Sequence, residues 1–221
     1  MKRFLNALHS TVMLLRLGGP GVFLKQLGRQ IYCKSDHIGL ELNLQTVDIP
    51  QIEAKIKYTL GLASEQDMDE VMQKAKTESK KSTKELVIRW WLYTDGYHNC
   101  YIARIAETND LCFMVSVIRQ ADDKMVAGQF RNWFPELKED EAIMESSYTF
   151  EKYRVKGLGS SITNCILNIL KEKGITRVIM YIEKDNVASF KTVVKAGFTR
   201  FEEVRKLRVL SLSRYKHVPL H

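Results

Sequence analysis

Two glycines lie at the junction between two segments of different hydrophobic pattern. Residues 143–150 form a strand-like run before them, whereas Leu158 and Ile162 begin an apolar stripe of helical spacing after them. The first turn of a helix exposes N–H groups and a partial positive charge, and Gly157 and Gly159 lack the Cβ atoms that would keep a ligand away. This strand–turn–helix segment therefore predicts a binding site for a phosphate or pyrophosphate.

The spacing of the glycines separates this loop from two other phosphate-binding motifs. A P-loop needs glycine, four residues and then Gly-Lys-Ser/Thr, which is absent, and a dinucleotide fingerprint needs a third glycine or alanine where Ile162 stands. The remaining pattern is Arg-x-x-Gly-x-Gly at Arg154, Gly157 and Gly159. It resembles the pyrophosphate loop of the GNAT superfamily of N-acetyltransferases, which binds acyl-coenzyme A. The alternative is a glycine turn that only begins a helix.

A second match lies downstream, at the separation that the resemblance requires. Asn186 is followed three residues later by Ser189, and the helical stretch after them ends at Gly197 and Phe198. Members of the superfamily commonly carry Asn, then Ala or Ser three residues later, and Gly-Phe at the end of that helix. The two motifs together cover the C-terminal third of the chain.

The resemblance implies an α/β (α+β) fold, in which a mixed, mostly antiparallel sheet is flanked by helices and splays near the acyl-CoA site. The hydrophobic pattern predicts the same order of elements: a strand, two helices, three strands, a helix, a strand, a helix and terminal strands. A helix is predicted to start at Pro50, because Ile52, Ile56 and Leu60 recur at a spacing of four. We expect a basic helical extension over residues 1–35 and the acyltransferase domain over residues 36–221.

The N-terminal segment predicts two short helices joined by a turn at residues 18–21, where three glycines and a proline break the pattern. Arg16 and Lys25 contribute to its basic character. Two interpretations stay open. The helices either dock on a membrane surface or a partner, or they pack against the domain or a second copy of the chain.

Net charge and cysteine usage limit the partners and cofactors. The formal charge of +8 favours acidic partners such as coenzyme A phosphates, nucleic acid, anionic lipid or an acidic carrier protein. Nucleic acid is not expected, because the basic residues are dispersed and no recognition motif occurs. The four cysteines form no C-x-x-C pair and have no histidine at ligand spacing. We therefore expect reduced thiols, a cytoplasmic location and no metal.

The resemblance also assigns residues to the donor site. The strand before the loop would pair with the pantetheine arm, the loop would surround the pyrophosphate, and the second motif would lie near the lower pantetheine and phosphates. Asn186 would in addition serve as an ordinary helix N-cap. The donor-site residues are Thr149, Phe150, Arg154, Val155, Lys156, Gly157, Leu158, Gly159, Ser160, Asn186 and Ser189.

Acyl transfer to an amine needs a base for the amine proton and stabilisation of the departing thiolate. Glu145 is the first candidate base, because members of the superfamily often place a carboxylate on this strand, and Glu141 is the second. Many relatives carry a tyrosine as the acid seven residues after the asparagine, but Val193 stands there. Tyr181, Tyr148, Ser189 and water remain as alternatives for the acid.

These residues predict an acyl-CoA-dependent N-acyltransferase, with acetyl-CoA or another acyl-CoA as co-substrate and the amine of a small molecule, such as an amino sugar, as acceptor. Two alternatives remain: an N-acyltransferase that takes its donor from an acyl carrier protein, and a GNAT-fold binding protein without catalysis. The polar stretch over residues 119–140, with Trp133 in it, is a candidate for acceptor specificity, because binding residues often lie on loops.

Overall fold

The protein is built around one mixed sheet of eight strands. The structure, a computed structural model, describes residues 2–122, 133–209 and 212–220. The helices are α1 (Lys2–Ile31), α2 (Glu65–Ala75), α3 (Lys80–Thr94), α4 (Leu158–Glu172) and α5 (Val187–Lys195). The strands are β1 (Tyr32–Asn43), β2 (Tyr58–Leu62), β3 (Cys100–Ile105), β4 (Leu111–Arg119), β5 (Glu141–Thr149), β6 (Arg177–Glu183), β7 (Thr199–Val209) and β8 (Leu212–Pro219).

The strand order in the sheet is β2-β3-β4-β5-β6-β1-β7-β8. Every described pair is antiparallel except β5–β6, which is parallel. This architecture confirms the predicted α/β fold with a mostly antiparallel sheet. The N-terminal strand β1 lies inside the sheet, between β6 and β7, and it runs across residue 35. The proposed division of the chain at that residue stays a prediction.

The predicted helix starting at Pro50 is wrong. Residues 48–57 have no regular secondary structure, and β2 begins at Tyr58. Long-range contacts to the α4 segment satisfy part of this backbone instead: Asn164 Nδ2 donates to the Pro50 carbonyl at 2.6 Å, and the Lys55 N–H donates to the Lys156 carbonyl. Ile56 packs against the main core from this irregular segment, and Leu60 does so from β2.

The sheet buries side chains on both faces. Along β6, Val178 and Met180 belong to the main core with Ile162 of α4, whereas Tyr181 belongs to a second core. This second core also contains Trp133 and residues from the C-terminal half of α3. The apolar run over residues 86–93, whose pattern alone fits either a helix or a strand, is helical, and it places α3 over the strands that lead to the glycine loop.

Helix α1 is kinked at Gly19, whose φ of 76° lies outside the helical region. The two helical segments predicted from the glycines therefore exist, joined by this residue. Met13, Leu17 and Val22 pack against Met72 and Val87, so the middle of α1 rests on the domain. Within the described part of the chain, no helix has both the length and the hydropathy that crossing a bilayer requires.

Candidate functional site

The two central parallel strands separate in the middle of the sheet. β5 and β6 pair at three positions, the last being Ile143 with Ile179, and no pairing between them continues beyond it. β5 remains paired with β4 as far as Thr149. A wedge therefore opens between β5 and β6. Glu145 of β5 and Tyr181 of β6 each lie two residues beyond the last paired position, inside this wedge.

A β-bulge lies beside this wedge. Val115 of β4 faces two residues of β5, Ser146 and Ser147, and Ser146 has a φ of 59°. The buried guanidinium of Arg89 holds the bulge, because its Nε donates to the Ser146 carbonyl at 2.6 Å and its Nη2 to the Ser147 carbonyl at 3.0 Å. Its Nη1 is paired with Glu85 at 2.9 Å. Helix α3 thereby fixes the backbone at the opening of the wedge.

Glu145 stands directly before this bulge. Burial raises the pKa of its carboxyl to about 7, although Arg89 and the hydrogen bonds from Ser146 oppose the shift. The Glu85 carboxylate adds to the rise. A carboxyl with a pKa near neutral pH can accept a proton from a substrate and return it.

The other two catalytic candidates have different environments. Glu141 lies at the base of the wedge, where Arg177 pairs with it at 2.8 Å; burial would raise its pKa, but the Lys138 N–H and Arg177 outweigh burial and lower it. Tyr181 donates its hydroxyl proton to buried Glu202. Burial and this carboxylate raise the pKa of Tyr181 far above its ordinary value, so its proton is poorly suited for transfer to a thiolate.

The alternative acid residues are also engaged. The hydroxyl of Tyr148 donates to Glu78 at 2.8 Å, and burial raises its pKa well above the ordinary value. The N–H of Ser189 donates to the Oδ1 atom of Asn186 at 3.2 Å, which makes Asn186 the N-cap of α5. The capping role of Asn186 is therefore confirmed, while the donor contacts of both residues stay predictions.

The glycine turn has the backbone shape that the sequence predicts. Gly157 has a φ of 74° and is the N-cap of α4, and Val155 before it also has a positive φ. The first intrahelical bond runs from the Ser161 N–H to the Gly157 carbonyl. The N–H groups of Leu158, Gly159 and Ser160 therefore stand at the open end of the helix, where an anion is favoured.

The side chains around the turn have two different roles. Leu158 is buried and anchors α4, whereas Val155 is fully exposed. The side chain of Arg154 turns back toward β5, since its Nε donates to the Thr149 carbonyl and its Nη2 to Ser82 Oγ. Lys156 lies over the Tyr153 ring at 5.5 Å. In this geometry Arg154 shapes the loop, and backbone N–H groups are the donors available for an anion.

The remaining predicted donor residues lie at the end of β5. The Phe150 ring is buried in the core, so only its backbone can face the wedge. A Cβ atom added to Gly159 would stand 3.3 Å from Thr149 Oγ1, which shows how closely the loop returns to the strand. The structure thus brings Thr149, the glycine turn and Glu145 to one end of β5, while Asn186 and Ser189 begin α5 after β6.

Sequence reasoning missed Arg89 and Glu85, which surround Glu145 from α3. Their signal in the sequence is weak, because a charged pair four residues apart on a helix ordinarily faces solvent. The two serines in the middle of an apolar strand, Ser146 and Ser147, were a better signal of a bulge. Of the loop proposed for specificity, residues 123–132 lie outside the described part of the chain, and Trp133 is buried.

A mixed sheet that splits between two parallel strands beside a glycine turn and a helix N-terminus is the architecture that the resemblance to N-acetyltransferases implies. The chain belongs to the GNAT acetyltransferase family, whose model, described as an acetyltransferase (GNAT) domain, matches residues 58–199. This match begins at β2 and ends at the start of β7, and it therefore contains the wedge and the glycine turn.

Individual relatives are distant or match a short segment. A mycothiol acetyltransferase of Amycolatopsis mediterranei is 41% identical over 46 residues, which are 21% of this chain and 15% of that protein. The chain is similar in structure to a GCN5-related glucosamine N-acetyltransferase region in a fungal multi-domain GH3 β-N-acetylglucosaminidase, with a TM-score of 0.60 and 16% identity. That match covers 83% of this chain and 22% of the other.

A GCN5-related N-acetyltransferase from Sphaerobacter thermophilus gives a TM-score of 0.56 at 10% identity, over 91% of this chain and 58% of the other. At such identities these likenesses show the fold alone. The chain also spans less than two thirds of the length of each of these three relatives.

Proposed function

We propose that the protein is an acyl-CoA-dependent N-acyltransferase that moves an acetyl group from coenzyme A to the amine of a small molecule. The observation that carries this proposal is Glu145: a half-buried glutamate whose desolvated carboxyl, with a pKa raised to about 7, lies in the wedge between β5 and β6. A general base is most effective when its pKa lies near the working pH. The family supports acyl transfer in general, and Glu145 supplies the group that an amine acceptor needs.

The residues around the wedge fit an acyl-CoA. The N–H groups of Leu158, Gly159 and Ser160 would receive the pyrophosphate, and Lys156 beside them adds a positive charge. Among the described residues, no strand pairs with the backbone of β5 beyond Ile143 on the β6 side, so this backbone can pair with the amide groups of a pantetheine arm. The bound donor would supply a thioester whose carbonyl carbon is attacked by the amine.

The reaction needs one proton to leave the amine and one to reach the departing thiolate. The Glu145 carboxylate accepts the amine proton, directly or through water, as the new C–N bond forms and the C–S bond breaks. Water supplies the proton to the thiolate, since the hydroxyls of Tyr181 and Tyr148 are bonded to carboxylates. A thiolate is a stable leaving group near neutral pH, so a side-chain acid is not required.

Calorimetric titration with acetyl-CoA, followed by release of the coenzyme A thiol in the presence of a panel of amines, tests the proposal. We expect saturable binding and amine-dependent thiol release. Product formation would exclude a binding protein without catalysis. A protein that binds no acyl donor, or that binds acetyl-CoA and acylates no amine in the panel, would contradict the proposed function.

A donor delivered by an acyl carrier protein is the second candidate. The observation that favours it is an exposed cavity of about 540 Å³ on β1, β7 and β8, in which the charged lining residues that the structure describes are all cationic. They are Lys34, Arg205, Lys206, Arg214 and Lys216. Carrier proteins are acidic, and such a surface would attract one. Comparing transfer from an acyl carrier protein with transfer from the same acyl group on free coenzyme A separates the two donors.

Arg89 and Glu85 are expected to shift the pH profile in opposite directions. Arg89→Met removes a cation that lowers the pKa of Glu145, so the acid limb of the kcat/KM profile should move to higher pH. Glu85→Gln removes a carboxylate that raises this pKa, so the acid limb should move to lower pH. Each shift should be about one pH unit or less. Arg89→Lys keeps the charge but loses the planar fork on the bulge, so it should lower kcat with little shift. If all three variants had the same pH profile as the native protein, this arrangement of charges around Glu145 would be refuted.

A further inference from the structure

One face of the strands β1, β7 and β8 is exposed to solvent near the end where α1 joins β1. The register places Tyr32 opposite Val209 and Val209 opposite Leu212, so these three side chains form one apolar row across the sheet. All three are exposed, with Leu212 the most exposed at 78%. On the other face of the same strands, Val204 and Tyr215 pack into the second core. The apolar row therefore lies on the face that the second core leaves open.

Cationic side chains dominate the next two rows of this face. Two residues further along the strands, the row contains Lys34 of β1 and Arg214 of β8, and the row after that contains Arg205 and Lys216. The four cations are exposed, whereas Asp36, the carboxylate of the second of these rows, is half-buried. The cavity of about 540 Å³ lies on this face. The face therefore changes from apolar to basic along the strands.

The end of α1 continues the apolar row. Leu24, Leu27 and Ile31 recur at spacings of three and four, so they lie along one side of the helix. All three are exposed, although the middle of the same helix packs against the domain. Ile31 is followed directly by Tyr32, the first residue of β1, so the stripe on α1 and the apolar row of the sheet meet there. We call this stripe, the apolar row and the two basic rows together the docking face.

The arrangement of apolar and basic residues matches the surface of an anionic lipid bilayer. Interfacial elements bury apolar side chains roughly 5–10 Å deep, at the boundary between headgroups and acyl chains. The basic rows lie roughly 7 Å and 13 Å from the apolar row, so their long side chains would stay near the lipid phosphates when the apolar row is inserted. The formal charge of +8 adds attraction at longer range.

Two other occupants fit the docking face less well. A second copy of the chain related by twofold symmetry would bring like charges together, because the same surface is used on both copies. Glu203, which contacts Arg205 at 4.0 Å, is already paired with Lys184 at 2.8 Å. An acidic carrier protein would match the cations, but it gives no reason for the exposed stripe on α1. An anionic bilayer accounts for both the apolar and the basic residues.

We propose that the docking face binds the protein to the surface of an anionic membrane. The apolar row and the stripe on α1 enter the boundary between headgroups and acyl chains, and the lysines and arginines of the basic rows bind lipid phosphates. This inference is independent of the proposed function. The docking face lies on α1, β1, β7 and β8, whereas the wedge lies between β5 and β6, so membrane binding can be measured without acyl transfer.

Sedimentation of the native protein with sucrose-loaded vesicles tests the inference. Vesicles of phosphatidylcholine alone are compared with vesicles of three parts phosphatidylcholine to one part phosphatidylglycerol. We expect the affinity for the anionic vesicles to be about tenfold or more higher at low ionic strength, and to fall as salt is added. Failure to bind the anionic vesicles, or equal binding to both kinds, would overturn the inference and leave the acyltransferase proposal intact.

Two triple variants with the same change in net charge locate the effect on the docking face. The first removes three of its cations: Lys34→Gln, Arg214→Gln and Lys216→Gln. Its affinity for the anionic vesicles should fall roughly 100-fold, at about fivefold per cation. The control removes three exposed lysines that lie elsewhere: Lys57→Gln, Lys76→Gln and Lys171→Gln. It should keep most of the native affinity. Equal losses in the two variants would mean that net charge alone attracts the vesicles, and would overturn the assignment.

A double variant tests whether the apolar residues enter the bilayer. Leu27→Gln with Leu212→Gln should lower the affinity for the anionic vesicles roughly tenfold or more, and it should leave the melting temperature unchanged because both side chains are exposed. Leu62→Gln with Val194→Gln, at exposed positions of β2 and α5, is the control and should bind as the native protein does.

The same double variant distinguishes the other occupants. If Leu27→Gln with Leu212→Gln kept the native affinity for vesicles, the apolar residues would not insert and the inference would be overturned. A native dimer that binds no vesicles and that this variant dissociates would make the docking face an interface between two copies. Saturable binding of an acyl carrier protein without binding to vesicles would assign the basic rows to that donor instead.

Discussion

Glu145→Gln is expected to lower kcat by roughly 10²–10⁴-fold, which is the usual contribution of a positioned general base. The substitution keeps the size of the side chain and its place before the bulge, but a carboxamide accepts no proton from the amine. Acetyl-CoA affinity should be unchanged, because the phosphates would bind at the glycine turn. The measurement is kcat for thiol release together with calorimetry of acetyl-CoA, and a variant that keeps native kcat would remove Glu145 from the mechanism.

The same residue determines the pH dependence. The base must be ionised, and burial raises its pKa to about 7, so kcat/KM of the native protein should fall about tenfold per pH unit below neutral pH. The residual activity of Glu145→Gln should lack this acid limb. If the acid limb of kcat/KM for the native protein lay near pH 4.5 instead, the Glu145 carboxyl would be solvated during catalysis.

Stability should respond in the opposite direction to activity. Because the native state raises the pKa of Glu145 from 4.5 to about 7, the native state binds more protons than the unfolded chain across that interval, and stability is lost as pH rises through it. Glu145→Gln removes this loss, which is at most on the order of 3 kcal/mol above pH 7. The melting temperature of the variant should exceed that of the native protein at pH 9 and differ less at pH 5. Glu172→Gln, on an exposed position of α4, is the control.

Gly157→Glu is expected to abolish acetyl-CoA binding. The added Cβ finds room, since its nearest neighbour would be the Glu53 carbonyl at 3.7 Å, so the fold should survive. The carboxylate, however, stands at the open end of α4 where the pyrophosphate would bind, and like charges in contact cost several kcal/mol. We expect the affinity for acetyl-CoA in calorimetry to fall roughly 100-fold or more.

The effect of backbone strain at position 157 on acetyl-CoA binding must be separated from the effect of the added charge. Gly157 has a φ of 74°, so every substitution there adds a backbone cost, and Gly157→Gln introduces that cost with a side chain of the same size as glutamate but without a charge. Gly174→Glu introduces the same residue at a second glycine of positive φ, beyond the end of α4, and should bind acetyl-CoA normally. Equal losses in Gly174→Glu and Gly157→Glu would place the effect in stability and not in the donor site.

Local patterns were reliable where the cause of the structure is local. The hydrophobic spacing after Gly157 predicted α4, and the spacing of Asn186 and Ser189 predicted a capped α5, because capping and helical periodicity act over a few residues. The same kind of pattern failed after Pro50. There, contacts with α4, more than a hundred residues away in the chain, outweighed the helical spacing and left an irregular segment.

In the candidate site, too, the sequence predicted the locally determined features and missed those that depend on long-range contacts. The glycine turn could be located from the sequence because a positive φ at the start of a helix strongly favours glycine. Glu145 could be named as a carboxylate before that turn, yet its pKa depends on burial and on Arg89 and Glu85, which α3 delivers from a distant part of the chain.

The sequence by itself therefore determined the family, the glycine turn and the succession of most elements, since these depend on residue type and on short-range periodicity. Only the tertiary structure decided where the sheet splits, that β1 enters it between β6 and β7, and which charges surround Glu145. Strand order, desolvation and electrostatic interactions depend on distances in space, and residues far apart in the chain become neighbours only when the sheet and α3 have packed together.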